Sequence, residues 1–348
     1  YGIHFDKQGV NSEENLKNFE TGFCKLENRY AGPEISYWAR CRIVDTYYLT
    51  KLWYIGLFSI ISESYIRKIK KIIGRFIWIP SKKNLVSMGI IKNKPDNGGL
   101  GLTDINSKLK AMSFMAYKRF KQQNCPLTLY FYEKIKTLSC AKLRKSKGPV
   151  LYNRIRETEK SLNINYSNNI INIADKSFSI AQLKTKHIYE LILNTCTSKI
   201  NLEYWSIVLK ETTENLGKFL RYSQCKYSDG SSKDIHYSIV MRFLYTRALQ
   251  SKFTEIDPNC TFCLSNGVSV REDVQHVILA CPQAKILWDF LDTIFSNIGL
   301  SQISNMEKIF GTHDNFRNLL INIAQTVLLV LDLENDPNKN IKYISMSR

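Results

Sequence analysis

The sequence predicts a mainly helical chain with a small metal-organised region towards its end. Three observations predict it. Apolar residues recur at helical spacing along most of the chain. A hydrophobic fraction of 44% and an aromatic fraction of 12% supply enough core to fold. Cys260, Cys263, His276 and Cys281 stand in a C-x2-C-x12-H-x4-C pattern. At 348 residues the chain is long enough for two domains or three.

Taken in order, Tyr1 to Asp6 reads as the end of a strand, with Gly9 in the turn after it. Leu16, Phe19, Phe23 and Leu26 share one helical face and predict a helix over 11–29, which Gly32-Pro33 breaks. A second helix is expected over 36–54 and a short apolar connection over 58–62. The segment from Glu63 to Trp78 is amphipathic. Ile66, Ile69, Ile73, Phe76 and Ile77 fall on one arc, and Arg67, Lys68, Lys71 and Arg75 on the opposite one. Ser62 is its expected N-cap, and Pro80 stops it. Three glycines in Gly98-Gly99-Leu100-Gly101-Leu102 have the spacing of no phosphate loop and predict a tight turn with close backbone packing. A helix follows from Asp104 to Gln123. The Lys- and Asn-rich stretch 124–169 reads as short helical pieces in a connecting wrist. Beyond Phe178, helices are expected at 188–193, 202–209, 216–222 and 235–249, the last capped by Asp234.

Charge is strongly segregated. Residues 1–160 hold 30 Lys and Arg against 13 Asp and Glu, whereas residues 161–348 hold 19 against 18, out of a net +18. A block so unbalanced is expected to sit near a polyanion, with binding that weakens as salt rises. The cationic face at 67–75 has no acidic residue at i+3 or i+4 to relieve it, so it is read as a phosphate-backbone grip. Its alternative is a solvated lysine face. No apolar run reaches the roughly 18 residues needed to span a bilayer, and no secretory signal is visible. The nine cysteines are therefore expected as reduced thiols, in a nuclear or cytoplasmic setting.

The Cys/His pattern carries the one strong chemical signal. Two cysteines two apart can present both sulfurs from one turn, and a His and a Cys five apart can do so from about one turn of helix. Three thiolates and an imidazole fill a tetrahedral Zn2+ shell with no open position, which makes such a site structural. Cys24, Cys41, Cys125, Cys140, Cys196 and Cys225 lack such spacing and are expected as buried thiols. No Asp-Asp pair occurs, so the carboxylates that two-metal nucleotidyl transfer requires are not in sight. No catalytic residue is assigned, and the chain as it stands is not expected to be an enzyme. Asp332, Glu334 and Asp336 read as an acidic tail.

Several blocks, in order, resemble the part of non-LTR (LINE-type) retrotransposon reverse transcriptases that follows the palm. Tyr1-Gly2-Ile3 resembles the strand that ends the palm. Tyr37-Trp38-Ala39-Arg40-Cys41-Arg42-Ile43, running on to Leu49-Thr50-Lys51-Leu52-Trp53-Tyr54, is similar to the family's "LSL-x-GR … LSKLWY" stretch, with Cys41 where the family has Gly. Phe76-Ile77-Trp78, Gly98 to Ile105, and Cys260 to Trp288 are similar to its "FIW", "GGLGL-x-DI" and C-terminal zinc-binding blocks. The resemblance implies a thumb-like helical bundle, a helical wrist and a CCHC zinc region. These would grip RNA and DNA template–primer, or nicked target DNA, beside a palm and endonuclease carried by the rest of the polypeptide.

The expected organisation is palm end and basic thumb-like domain over 1–123, wrist over 124–177, helical region over 178–255, zinc-binding region over 256–300, and C-terminal helix and tail over 301–348. Arg67, Lys68, Lys71 and Arg75 are the expected phosphate contacts, with Arg40, Arg42, Lys82 and Lys83 as companions. The competing expectation is a standalone or domesticated zinc-stabilised module that binds a protein, with Trp205 and Trp288 at its interface.

Overall fold

A computed structural model describes residues 4–6, 9–32, 35–58, 61–79, 81, 84–122, 158, 165–167, 170–173, 176–179, 183–223 and 227–334. It is mainly helical, in agreement with the periodicity. The chain forms two compact units, each assembled from three stretches: Tyr1–Arg29, Arg42–Ile73 and Leu102–Ser198 in the first, and Tyr30–Cys41, Gly74–Gly101 and Lys199–Arg348 in the second.

In the first unit, β1 (Phe5–Asp6) pairs antiparallel with β2 (Gly9–Val10), which puts Gly9 in a strand and not in the expected turn. Asn11 then caps α1 (Ser12–Arg29), its Oδ1 accepting the Glu14 N–H at 3.0 Å. Phe19, Phe23 and Leu26 are buried along one face of α1, with Phe19 stacked on Tyr48 at a centroid distance of 4.0 Å. The helical run expected over 36–54 is continuous but not uniform. It comprises α2 (Tyr37–Ile43), which belongs to the second unit up to Cys41, and then a π-helical segment (Val44–Leu49) and α3 (Thr50–Phe58) in the first. The amphipathic segment is α4 (Glu63–Ile77), which begins in the first unit and ends in the second. α5 (Met88–Ile91) belongs to the second unit. Back in the first, α6 (Ile105–Gln122) opens on Asp104, whose Oδ2 accepts the Ser107 N–H at 3.0 Å. It packs on α7 (Thr185–Thr195) through Ala111, Phe114 and Met115 against Leu183, Ile188 and Ile192.

The wrist expectation needs correcting where it can be compared. β3 (Asn165–Ser167), β4 (Ile170–Ile173) and β5 (Lys176–Ser179) form an antiparallel meander with Tyr166 opposite Ile171 and Ile171 opposite Phe178. Two residues separate each pair of strands, and Ile170, Ile171 and Ile173 supply the β-branched run that favours a pleated surface. The remainder of 124–164, apart from Thr158, lies outside the described residues.

In the second unit the glycine segment behaves as a tight turn. Gly98 and Gly101 take φ of 67° and 68°, in the left-handed region, and a Cβ on Gly99 would lie 2.1 Å from the Asn93 carbonyl oxygen. The remaining helices are α8 (Glu203–Leu209), α9 (Thr213–Phe219), α10 (Gly230–Val240), α11 (Arg247–Gln250), α12 (Thr261–Ser265), α13 (Pro282–Asn297), α14 (Asn305–Phe310) and α15 (Asn315–Glu334). Their core gathers Trp205, Leu216, Ile239, Trp288, Phe295, Ile309, Phe310 and Leu328. The single helix expected over 235–249 is two, α10 and α11, separated by a turn in which Arg242 takes a φ of 59°. Its cap is Asp229, whose Oδ1 accepts the Ser232 N–H at 2.6 Å, and not Asp234, which lies mid-helix and buried.

Candidate metal centre and cationic helix

Each of the four Cys/His donors is aimed by backbone that its neighbours determine. Cys260 precedes α12, and its N–H donates to the Val270 carbonyl at 2.8 Å. The Val268 N–H in turn reaches the Cys263 carbonyl at 2.9 Å, with Gly267 turning the loop at a φ of 77°. Both sulfurs thereby face one side of a tight, hydrogen-bonded loop. His276 and Cys281 come from the other side. Five α-helical steps would rotate Cys281 some 140° away from His276. The backbone answers with a π-helical segment (His276–Ala280), in which the Cys281 N–H donates to the His276 carbonyl at 2.7 Å. One wide turn therefore stacks residue i+5 above residue i. The relationship expected from one turn of helix holds, but only through this π geometry.

The four donor atoms lie within 4.8 Å of one another, and all four residues are buried. Cys263 Sγ and His276 Nε2 are 3.4 Å apart. A tetrahedral ion bound at Zn–S of about 2.3 Å and Zn–N of about 2.0 Å has ligand atoms roughly 3.5–3.8 Å apart, so small side-chain adjustments close the shell. Charge points the same way. A hydrogen bond from the Cys281 thiol lowers the Cys260 thiol, while the same bond and burial raise Cys281. Burial also raises Cys263. The hydrogen-bonded set thus favours one thiolate, at Cys260, and a bound cation would draw the other two thiols down. These residues could hold one metal ion.

Two supporting residues escaped the sequence reading. Asp273 Oδ1 accepts the His276 N–H at 2.8 Å, capping the turn that carries the imidazole. An Asp three residues before the His was the available signal. The Trp288 Nε1–H donates to the Ile278 carbonyl at 2.7 Å and ties the same turn to α13. Among the other cysteines, Cys41 is buried as expected, but Cys24 and Cys196 are exposed. α1 turns Cys24 outward, and Cys196 lies just past the end of α7. Cys125, Cys140 and Cys225 lie outside the described residues.

α4 presents the two faces its sequence predicts. Ile66, Ile69, Ile73, Phe76 and Ile77 are buried, Arg67, Lys68, Lys71 and Arg75 are exposed, and Ser62 Oγ accepts the Tyr65 N–H at 3.2 Å. The face is less lonely than expected, because α1 supplies a partner: Lys68 Nζ lies 2.6 Å from Glu20 Oε1. Among the described residues no carboxylate pairs with Arg67, Lys71 or Arg75. Arg42 is exposed, with Asp45 at 3.9 Å.

Arg40 requires a correction. Instead of meeting phosphates it is wholly buried, and its guanidinium donates to the carbonyls of Ile35 (2.9 Å), Phe76 (3.1 Å) and Gly32 (2.6 Å). Trp205 and Trp288 are likewise core residues, at 0% and 1% exposure, and offer no interface. Lys82 and Lys83 lie outside the described residues. His236 is buried, with Nδ1 2.9 Å from Gln325 Oε1. No described helix is long and apolar enough to cross a membrane.

The chain matches no protein-family model, and a search of curated proteins finds no match.

Proposed function

We propose that this chain grips nucleic acid by charge and shape, as the thumb-like, post-palm part of a non-LTR reverse transcriptase would, and that Cys260, Cys263, His276 and Cys281 hold a structural Zn2+. The observation that carries the reading is the exposed cationic face of α4. Its apolar stripe is buried, so the cations face outward, and Arg67, Lys71 and Arg75 lack carboxylate partners among the described residues. Residues one turn apart repeat about every 5–6 Å along a helix, close to the spacing of successive phosphates along a strand. Guanidinium and ammonium groups so placed neutralise phosphates without reading bases. Zinc would supply a closed, non-catalytic shell that orders the loop 260–281.

A second reading, a protein-binding module, draws on a different observation. α15 exposes Phe316, Ile323, Val327 and Val330 at 7-, 4- and 3-residue intervals, a continuous apolar stripe.

Binding of the metal-loaded chain to an RNA–DNA hybrid across a salt series decides between them. Nucleic-acid gripping requires affinity to fall steeply with salt, and R67A/K68A/K71A/R75A to lower the log–log slope by about 3–4. A chain that binds no hybrid at low salt, or a quadruple variant with an unchanged slope, overturns the reading.

A further inference from the structure

The helical run of the first unit leaves two aromatic rings exposed. Tyr48, Leu49, Leu52 and Ile55 are buried, whereas Tyr47 and Tyr54 remain 56% and 52% exposed. Tyr47 of the π-helical segment and Thr50, Lys51 and Tyr54 of α3 are all exposed, on the side away from buried Tyr48, Leu49, Leu52 and Ile55. Two tyrosines therefore bracket a lysine on the same solvent face, separated by about 10 Å along the axis. The end of this stripe opens on a cavity of about 650 Å3, to which Lys51, Tyr54, Thr50 and Ile55 contribute from α3, and Asn18 and Phe19 from α1. That volume lies within the range of small-ligand sites and exceeds what one nucleoside fills.

Aromatic rings alternating with a cation suit one class of ligand. Unpaired bases stack on exposed rings whatever their sequence, and their phosphates meet the cation between. A duplex keeps its base faces hidden and could use only the cation. The charge of the same unit is complementary to such a ligand, since its stretches 1–29, 42–73 and 102–122 hold 15 Lys and Arg against 8 Asp and Glu. We infer that the Tyr47–Lys51–Tyr54 face is a stacking platform for single-stranded nucleic acid, with the adjoining cavity receiving one base. This rests on the nucleic-acid reading above and deepens it. α4 would hold backbone of any form, whereas α3 would hold the unpaired strand.

The test uses the full metal-loaded chain with two probes of equal length: an oligo(dT) strand carrying 2-aminopurine, and an RNA–DNA hybrid. Anisotropy gives the affinities, and quenching of 2-aminopurine reports stacking. Y47A/Y54A is expected to weaken single-strand binding about tenfold or more and to abolish most of the quenching. Hybrid affinity should stay within about twofold and its salt slope should not change. Y47F/Y54F keeps the rings and should bind as the parent does. K51Q should lower the single-strand salt slope by about one. Thermal melts of each variant confirm that the fold is intact. If Y47A/Y54A binds single strands like the parent while hybrid binding stays salt-dependent, the platform is wrong and the α4 grip stands. If the Phe pair loses binding as the Ala pair does, stacking is not the mechanism. If the parent binds neither probe, both readings fall.

Discussion

The buried carboxylate of Asp234 accepts the backbone N–H of Tyr37 through both oxygens, at 2.9 and 3.1 Å, across 197 residues of chain. Tyr37 is the first residue of α2, and the first N–H groups of a helix have no partner within it. A side chain in the middle of α10 thus does the work of an N-cap for a helix elsewhere in the same unit. Burial raises the Asp234 carboxyl well above the usual carboxylate range, against the pull of the Tyr37 N–H and of Arg40. With the folded pKa above the unfolded one, this group contributes most below about pH 4. The contribution then declines as pH rises through the folded value. Asp234→Ala should cost about 1–3 kcal/mol by stranding the Tyr37 N–H. Asp234→Asn keeps an acceptor without the charge, so it should cost less at neutral pH and flatten the dependence of stability on pH. Urea melts at pH 5 and 8 check this. Equal losses for the two variants, with an unaltered pH slope, would count against it.

His236 gives a pH dependence of opposite sign. Burial pushes its pKa down to about 4 from the usual 6.5, so the folded state holds the neutral ring. Its contribution is complete above pH 6.5 and is lost as pH falls towards 4, to a total of about 3 kcal/mol. The ring Cε1–H resonance of His236 should show no titration above about pH 5. A midpoint near 6.5 would mean that the ring is hydrated and that its packing against Gln325 is transient.

Removal of metal should act on more than the loop that carries the ligands. The Trp288 indole bonds the Ile278 carbonyl inside the ligand turn and packs in the core of the second unit. Chelation should therefore lower the melting temperature and shift tryptophan emission together, with one equivalent of metal released. Asp273→Ala removes the cap on the His276 turn and should weaken metal binding about 10–100-fold without removing a ligand. Competition with a chromophoric chelator measures it. An affinity within twofold of the parent would show that the π-helical turn is positioned without Asp273.

How much of this was legible depends on whether the signal was local. The α4 faces, the Ser62 cap and the Cys/His set are written in short spacings, and those spacings survive folding. Asp234 was misassigned because a local rule sees an acid near a helix start, whereas its partner lies 197 residues away. Arg40 was misjudged for a different reason: its guanidinium is satisfied by the carbonyls of Gly32, Ile35 and Phe76, and a backbone carbonyl, which every residue carries, leaves no mark in a side-chain pattern. The interleaving of the two units likewise arises from packing, since Tyr30–Cys41 joins Lys199–Arg348 by contact and not by composition. The β-meander at 165–179 was hidden by its isoleucines and asparagines, which also pervade the helices.

Arg40 also separates structural from ligand-binding cations. Its planar fork reaches three carbonyls, of Gly32, Ile35 and Phe76, with no exposed surface. A lysine ammonium cannot reproduce that fork, so Arg40→Lys should destabilise the chain nearly as much as Arg40→Met. Both should cost roughly 2–4 kcal/mol, because buried carbonyls are left unpaired. Neither should alter the salt slope of hybrid binding, which counts phosphates contacted and not stability. Arg67→Ala should do the reverse, lowering the slope by about one while leaving the melting temperature within a degree or two. Chemical denaturation and a salt titration on the same three variants give the two readouts. A lowered slope for Arg40→Lys with unchanged stability would return Arg40 to the phosphate-binding set.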